Sequence, residues 1–330
     1  MVLAVCAIWL ISSKKTWIVA DRVQIKNLSL VKILFHANQC GFRGTDVATY
    51  NYAFFGELLY NMKAYHTFPE HMVHSESQRI KLEARFPGRV LPLKVGYVWD
   101  EDPIGYSQAL LHIIEQYDIQ YLFKEEAGTE KELVLTSIPT LVHAVFDCQQ
   151  SHGHRMLAIS PAVEAHGTSC AGNVPYMVWM AQCGRDSLRL EFRIPDDAFV
   201  YGWLGGTDAW DAAVTDIVKD VAVRLGGKVF FMFQNFPADQ APILEELPNV
   251  RLIGPTNDDE FKCRFGQTMD IFLHPRLIGE TFGMSVAEVR NCHSVCDFCY
   301  YCCLVAIESS NSSFVLCRLA YYKNQPSPRG

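Results

Sequence analysis

The feature that most constrains the fold of this chain is an alternation of short apolar runs with amphipathic stretches, played through twice. A short apolar run bounded by turn residues reads as a buried strand. A following stretch with apolar residues at helical spacing reads as the helix that covers it. Repeated in that order, they predict βαβ units and parallel sheets. In the first series, strands are expected over 31–35, 119–123, 140–146 and 156–159. Helices are expected over 45–60, capped by Thr45, and over 104–117. A second series opens after Pro175 with a short helix over 186–192, closed by Ile194-Pro195. Strands are then expected over 199–203, 228–233, 250–253 and 270–274. Thr207 is expected to cap a helix running to 225, with Asp208 and Asp211 favourably placed at its positive end. The last helix is expected over 282–290. Two such series imply two Rossmann-like α/β domains, and ligands of such sheets bind at the carboxyl ends of the strands.

Bulk properties narrow the function. A chain of 330 residues has room for two ordinary domains. Its 29 Lys and Arg against 36 Asp and Glu give a net charge of −7. With no basic stripe visible, nucleic acid is not an expected partner. Of the twelve cysteines, Cys6, Cys40, Cys148, Cys170, Cys183 and Cys263 are scattered and read as reduced, apolar core residues. Cys292, Cys296, Cys299, Cys302, Cys303 and Cys317 crowd the end. Two separated Cys-x2-Cys units are absent there, so no metal is expected. Residues 1–11 are apolar but too few to cross a bilayer as a helix, and no positive segment precedes them. A cytoplasmic location is therefore expected, without support for membrane association. The sequons at Asn27 and Asn311 would matter only in a secreted chain.

The sharpest local signal is Glu280-Thr281-Phe282-Gly283-Met284-Ser285-Val286-Ala287-Glu288. Two glutamates straddle a glycine and open a helix shortly after a strand. A helix start offers free N–H groups and a positive dipole end to a phosphate, and Gly283 lets the backbone come close to a ligand. Glu288, further along the helix, can accept hydrogen bonds from a vicinal diol such as a ribose. Glu280, before it, can hold sugar hydroxyls near a reacting carbon.

The segment Asp270-Ile271-Phe272-Leu273-His274, followed by Gly279 to Gly283 and Glu288, resembles the E-x7-E region of retaining GT-B glycosyltransferases, the large family-four group. Other pieces agree in order. Gly41-Phe42-Arg43-Gly44-Thr45 resembles the family's Gly-rich loop after the first strand. Leu141 to Phe146 resembles the strand that carries a His, here His143, towards the sugar. Ala158-Ile159-Ser160 resembles the strand before the interdomain crossing. Ile194-Pro195-Asp196-Asp197 with Phe199 to Gly206 resembles the opening of the donor domain. The likeness covers about 32–290.

The resemblance implies a GT-B-like α/β fold of two Rossmann-like domains facing a cleft. Residues 31–178 would form the acceptor-side domain and 179–290 a donor-binding domain that is incomplete. An apolar extension over 1–30 and a Cys-rich tail over 291–330 would flank them. It implies transfer of a sugar from a nucleotide-diphosphate donor to a glycan, lipid or protein acceptor, with retention at the anomeric carbon and without a metal or other cofactor. Glu280 and His143 would act at the reacting centre. Glu288, Gly283, Phe282, Arg276, Gly205 and Gly206 would bind the donor, and Gly41, Arg43 and Gly44 would meet phosphates or acceptor.

Where the family places an Arg and then a Lys after the first donor-domain strand, this chain has Trp203 and Asp208. Arg276 is the cation expected to compensate. On this reading, Trp203→Arg with Asp208→Lys should raise turnover in a completed domain. The alternative is a non-catalytic GT-B remnant that binds a nucleotide or a partner. A dinucleotide-binding protein is disfavoured, because no G-x-G-x-x-G follows a strand with an acidic residue at the expected distance.

Overall fold

The structure, a computed structural model, describes residues 30–96, 101–128, 137–181, 183–184, 186–276 and 281–292. By packing, these divide into two compact units. Among the described residues, one comprises those from 30 to 183 with 255–263 and 281–291; the other comprises 184–254 and 264–276. Cys296, Cys299, Cys302, Cys303 and Cys317 of the tail, both sequons and the segment 1–29 lie outside the described residues.

The first unit is built on a five-stranded parallel sheet in the order β2-β1-β3-β4-β5. Its strands are β1 (Val31–His36), β2 (Met62–Thr67), β3 (Tyr121–Glu126), β4 (Thr140–Ala144) and β5 (Arg155–Ala158). Between them run α1 (Gly44–Leu59), α2 (Glu76–Arg85) and α3 (Pro103–Tyr117), with a short α4 (Pro161–Glu164) after β5. Alternation along the central strands serves both faces of the sheet. Leu34 and Leu122 pack with Leu110, Ile113 and Ile114 of α3, whereas Phe35 packs with Ala53 of α1 and Leu82 of α2. Each wholly buried leucine contributes about 1.5–3 kcal/mol.

The second unit carries a four-stranded parallel sheet in the order β8-β7-β6-β9. Its strands are β6 (Phe199–Leu204), β7 (Val229–Gln234), β8 (Val250–Ile253) and the two-residue edge strand β9 (Ile271–Phe272). Helix α5 (Ala212–Leu225) presents Val214, Val218 and Ala222 to Trp203, Phe231 and Phe233. Gly202 leaves space on β6 that Met269 fills; a β-carbon there would stand 1.7 Å from the Met269 sulfur. Helix α6 (Ala241–Leu244) also belongs to this unit; α7 (Asp259–Thr268) begins among residues grouped with the first unit, and α8 (Met284–Cys292) is grouped with the first unit up to residue 291.

Four local expectations are corrected. Helix α1 starts at Gly44, preceded by Arg43 without a side-chain cap, so Thr45 lies inside it. Residues 186–192 form turns, not a helix. The helix expected from Thr207 is broken: 207–209 form one 3-10 turn, and Asp211 caps α5 by accepting the Ala213 N–H at 2.9 Å. An Asp four residues on offers a better oxygen than the expected Thr. Four of the six cysteines expected to be reduced are bonded in two pairs, Cys148–Cys170 and Cys183–Cys263, with Cα separations of 5.4 and 5.9 Å, and Cys6 lies outside the described residues. Those distances suit a disulfide, and linear spacing carries no trace of them. Cys40 is free and buried, and burial pushes its thiol up to about 12.

Candidate functional site

Each parallel sheet has one point where its strand order reverses, and ligands of such sheets bind outside the strand ends at that point. In the first unit the reversal falls between β1 and β3. The loop after β1 carries Gly41, Arg43 and Gly44, with Arg43 exposed and Gly41 buried. Behind it Asp46 is buried, and its Oδ2 accepts the Gln39 Nε2–H at 3.2 Å. Burial pushes that carboxyl up to about 7. In the second unit the reversal falls between β6 and β9. Gly205 and Gly206 follow β6 directly, and Arg276 follows β9 by four residues. The Gly205 carbonyl accepts the Asn235 Nδ2–H at 2.9 Å, which fixes the turn.

His143 on β4 is 2% exposed, and both its ring nitrogens are engaged within the fold. Nε2 lies 2.7 Å from the Val174 carbonyl, which can only accept, so Nε2 carries a hydrogen. Nδ1 lies 2.9 Å from Glu125 Oε1, and the Tyr176 hydroxyl donates to Glu125 Oε2 at 3.1 Å. Burial raises the Glu125 carboxyl above its ordinary range, against the pull of His143. One proton shared between Nδ1 and Oε1 therefore completes a closed network. Sequence reading missed Glu125 and Tyr176. The signal was Lys124-Glu125-Glu126, three charges ending a strand that is otherwise apolar; Lys124 and Glu126 form a second buried ion pair.

The glutamate segment joins this network from the other side. Phe282 meets the Tyr176 ring edge-on at 5.1 Å, and a β-carbon on Gly44 would touch Met284 at 3.4 Å. Thus Phe282, Tyr176, Glu125 and His143 form one line of contact, with Gly44 beside it. Gly283 has φ +76°, in the left-handed region that only glycine enters freely. Glu288 lies in the second turn of α8 and is 5% exposed, and burial raises its carboxyl above the ordinary range. Lys262 Nζ stands 3.8 Å from its Oε1. Lys262 also lines a recess of about 10 Å³, room for one water, with Lys81, Gln78, Tyr50, Asp259 and Trp179. Glu280 lies outside the described residues.

Trp203 corrects one expectation. It is 0% exposed and sits edge-on to Trp210 at 5.2 Å, inside the second unit's core. Its side chain faces α5, so an arginine there would enter the core and could not rebuild a phosphate site. Asp208 is exposed in the 3-10 turn. Among the described residues, no helix is long and apolar enough to cross a membrane.

No family model matches this chain, and no curated protein matches it in sequence. Solved structures do match in three dimensions. A glycosyltransferase from Rickettsia africae superposes with a TM-score of 0.55 at 10% identity, over 80% of this chain and 77% of the other. WaaG, a glycosyltransferase of lipopolysaccharide biosynthesis, gives 0.53 at 10% identity, over 80% and 79%. Anabaena HepE, solved in complex with UDP and glucose, gives 0.57 at 13% identity, over 79% and 78%. At these identities the likeness speaks of fold, and the fold it shows is that of the GT-B glycosyltransferases, two Rossmann-like α/β units.

Proposed function

We propose that this chain is a glycosyltransferase that takes a sugar from a nucleotide-diphosphate-sugar donor and transfers it with retention to a glycan, lipid or protein acceptor. The observation that carries the reading is Glu288. It is a buried carboxylate in the second turn of a helix entered through a left-handed glycine, in a chain with the GT-B fold. Glu288 binds the donor ribose and Glu280 the sugar, as the E-x7-E resemblance implies, with His143 backing the sugar site from within the fold. Gly283 and Phe282 shape that loop. Gly205, Gly206 and Arg276 at one strand-order reversal and Gly41, Arg43 and Gly44 at the other supply backbone N–H groups and cations to phosphate or acceptor. HepE, solved with UDP and glucose, supports a nucleotide sugar as the donor class.

In the chemistry so proposed, the sugar–phosphate bond breaks as the acceptor hydroxyl oxygen bonds the anomeric carbon; the diphosphate leaves with the electron pair and its departing oxygen takes up the hydroxyl proton. Cations and oriented N–H groups stabilise its growing charge. His143 contributes through a rigid frame, because its nitrogens are already engaged.

A second reading, a chain that binds nucleotide without transfer, is favoured by Trp203. The core position it holds supplies no cation to a diphosphate. One experiment separates the two: a screen for donor hydrolysis across UDP-, GDP- and ADP-sugars, with Glu280→Ala as control. Release of nucleoside diphosphate, lost in the variant, supports transfer. Binding without release supports the second reading, and neither binding nor release removes both.

A further inference from the structure

Glu288 is buried, and among the described residues its oxygens accept no hydrogen bond, whereas its counterpart Glu125 is fully bonded. A buried carboxylate left in that state is costly unless a charge stands by. The charged groups that face it are Lys262 and Asp259 of α7 and Lys81 of α2. Lys81 is committed elsewhere: its Nζ donates to Asp259 Oδ2 at 2.7 Å and to the Asn257 carbonyl at 3.1 Å. That pairing neutralises Asp259 and leaves Lys262 as the cation for Glu288. Both side chains are close to nine-tenths buried, at 12% and 7% exposure. At 3.8 Å the ammonium group is near enough to attract and too far to occupy an oxygen with a hydrogen bond. The carboxylate thereby keeps its acceptor sites for two hydroxyls.

We propose that Lys262 is a positioning residue for the nucleotide site: its ammonium group holds the Glu288 carboxylate charged and unoccupied, ready to accept the vicinal diol of a ribose. The inference rests on the reading of Glu288 given above. A carboxyl that lost this neighbour would take up a proton at higher pH and offer one acceptor and one donor where the diol needs two acceptors.

The test is calorimetric titration of UDP, with GDP and ADP in parallel, into the full chain and its Lys262→Gln and Lys262→Arg variants between pH 5 and 8. Lys262→Gln should weaken binding about tenfold at pH 6, the loss of one charged hydrogen bond, and less at pH 8. Lys262→Arg should restore it. Equal weakening at every pH would mean that the lysine touches the nucleotide itself or only supports the fold, and either result overturns the proposal. If the wild type binds no nucleotide, the reading of Glu288 fails separately. Infrared titration then decides on Lys262 alone. The protonated carboxyl band that disappears in Glu288→Gln should appear at higher pH in Lys262→Gln than in wild type, and an unmoved band would refute the role.

Discussion

Trp203 stands on the strand that leads to the second unit's strand-order reversal, yet its indole turns into the core against Trp210 and Phe236. Trp203→Arg should therefore destabilise that unit by at least about 3–5 kcal/mol, the cost of emptying such a site, before any charge burial is added. Urea unfolding measures this, and an unchanged midpoint would contradict the placement. His143 makes the complementary case. His143→Ala leaves Glu125 buried beside Tyr176 without its partner, and breaking such a pair costs about 3–5 kcal/mol. The expected signature is loss of stability greater than that of His143→Gln, whose amide can keep one of the two bonds. Equal stability in both variants would mean that the network is not closed.

At the scale of elements, much was legible in the sequence because buried strands of a parallel sheet are short, apolar and bounded by turns. Strands β1, β6 and β8 and helix α3 lie where their apolar pattern predicts. Strand β2 was missed because Met62–Thr67 mixes lysine, tyrosine and histidine into its run. Helix α2 was missed because its face is charged. Ser75 marks its start by accepting the Gln78 N–H, and Arg79 lies beside Glu76 and Glu83. The helix expected over 186–192 was a false period, set by Leu188 and Phe192, in a segment that folds as turns. Of the candidate site, glycines and glutamates were visible as a motif. Glu125, Tyr176 and Lys262 were not, because their meaning arises from contacts across 18 to 51 positions or between helices. The disulfides were hidden for the same reason. They close separations of 22 and 80 residues, and each should contribute about 2–4 kcal/mol. Non-reducing peptide mapping should recover both pairs, and reductant should lower the unfolding midpoint. Disulfides persist in oxidising compartments, so the mapping also tests the expectation of a cytoplasmic location. Free thiols at all four positions would contradict the pairing.

For the molecule as a whole, stability should depend on pH through buried groups. His36 and His66 are held neutral by burial, which lowers each to about 3. The unfolded chain binds protons there below about 6.5, so the stability they confer is present above that value and lost as pH falls towards 3. Asp46 acts with the opposite sign. Raised to about 7 by burial, it favours the folded state below about 3.9 and loses that contribution as pH rises through 7. Glu125 and Glu288, whose carboxyls burial also raises, act with the sign of Asp46, so the two histidines are the buried groups that lower stability as pH falls. His36→Gln with His66→Gln should flatten the decline between pH 6 and 4 in urea titrations, and an unchanged decline would locate the acid sensitivity elsewhere. The proposed function depends on the glutamate-bearing helix α8 meeting a nucleotide. Its most direct test is calorimetric titration of nucleoside diphosphates into wild type and Glu288→Ala at neutral pH. The wild type should bind one nucleotide, and the variant should bind it more weakly by about 1–3 kcal/mol, the cost of charged hydrogen bonds to a ribose. Equal affinity in both, or none in the wild type, would contradict it.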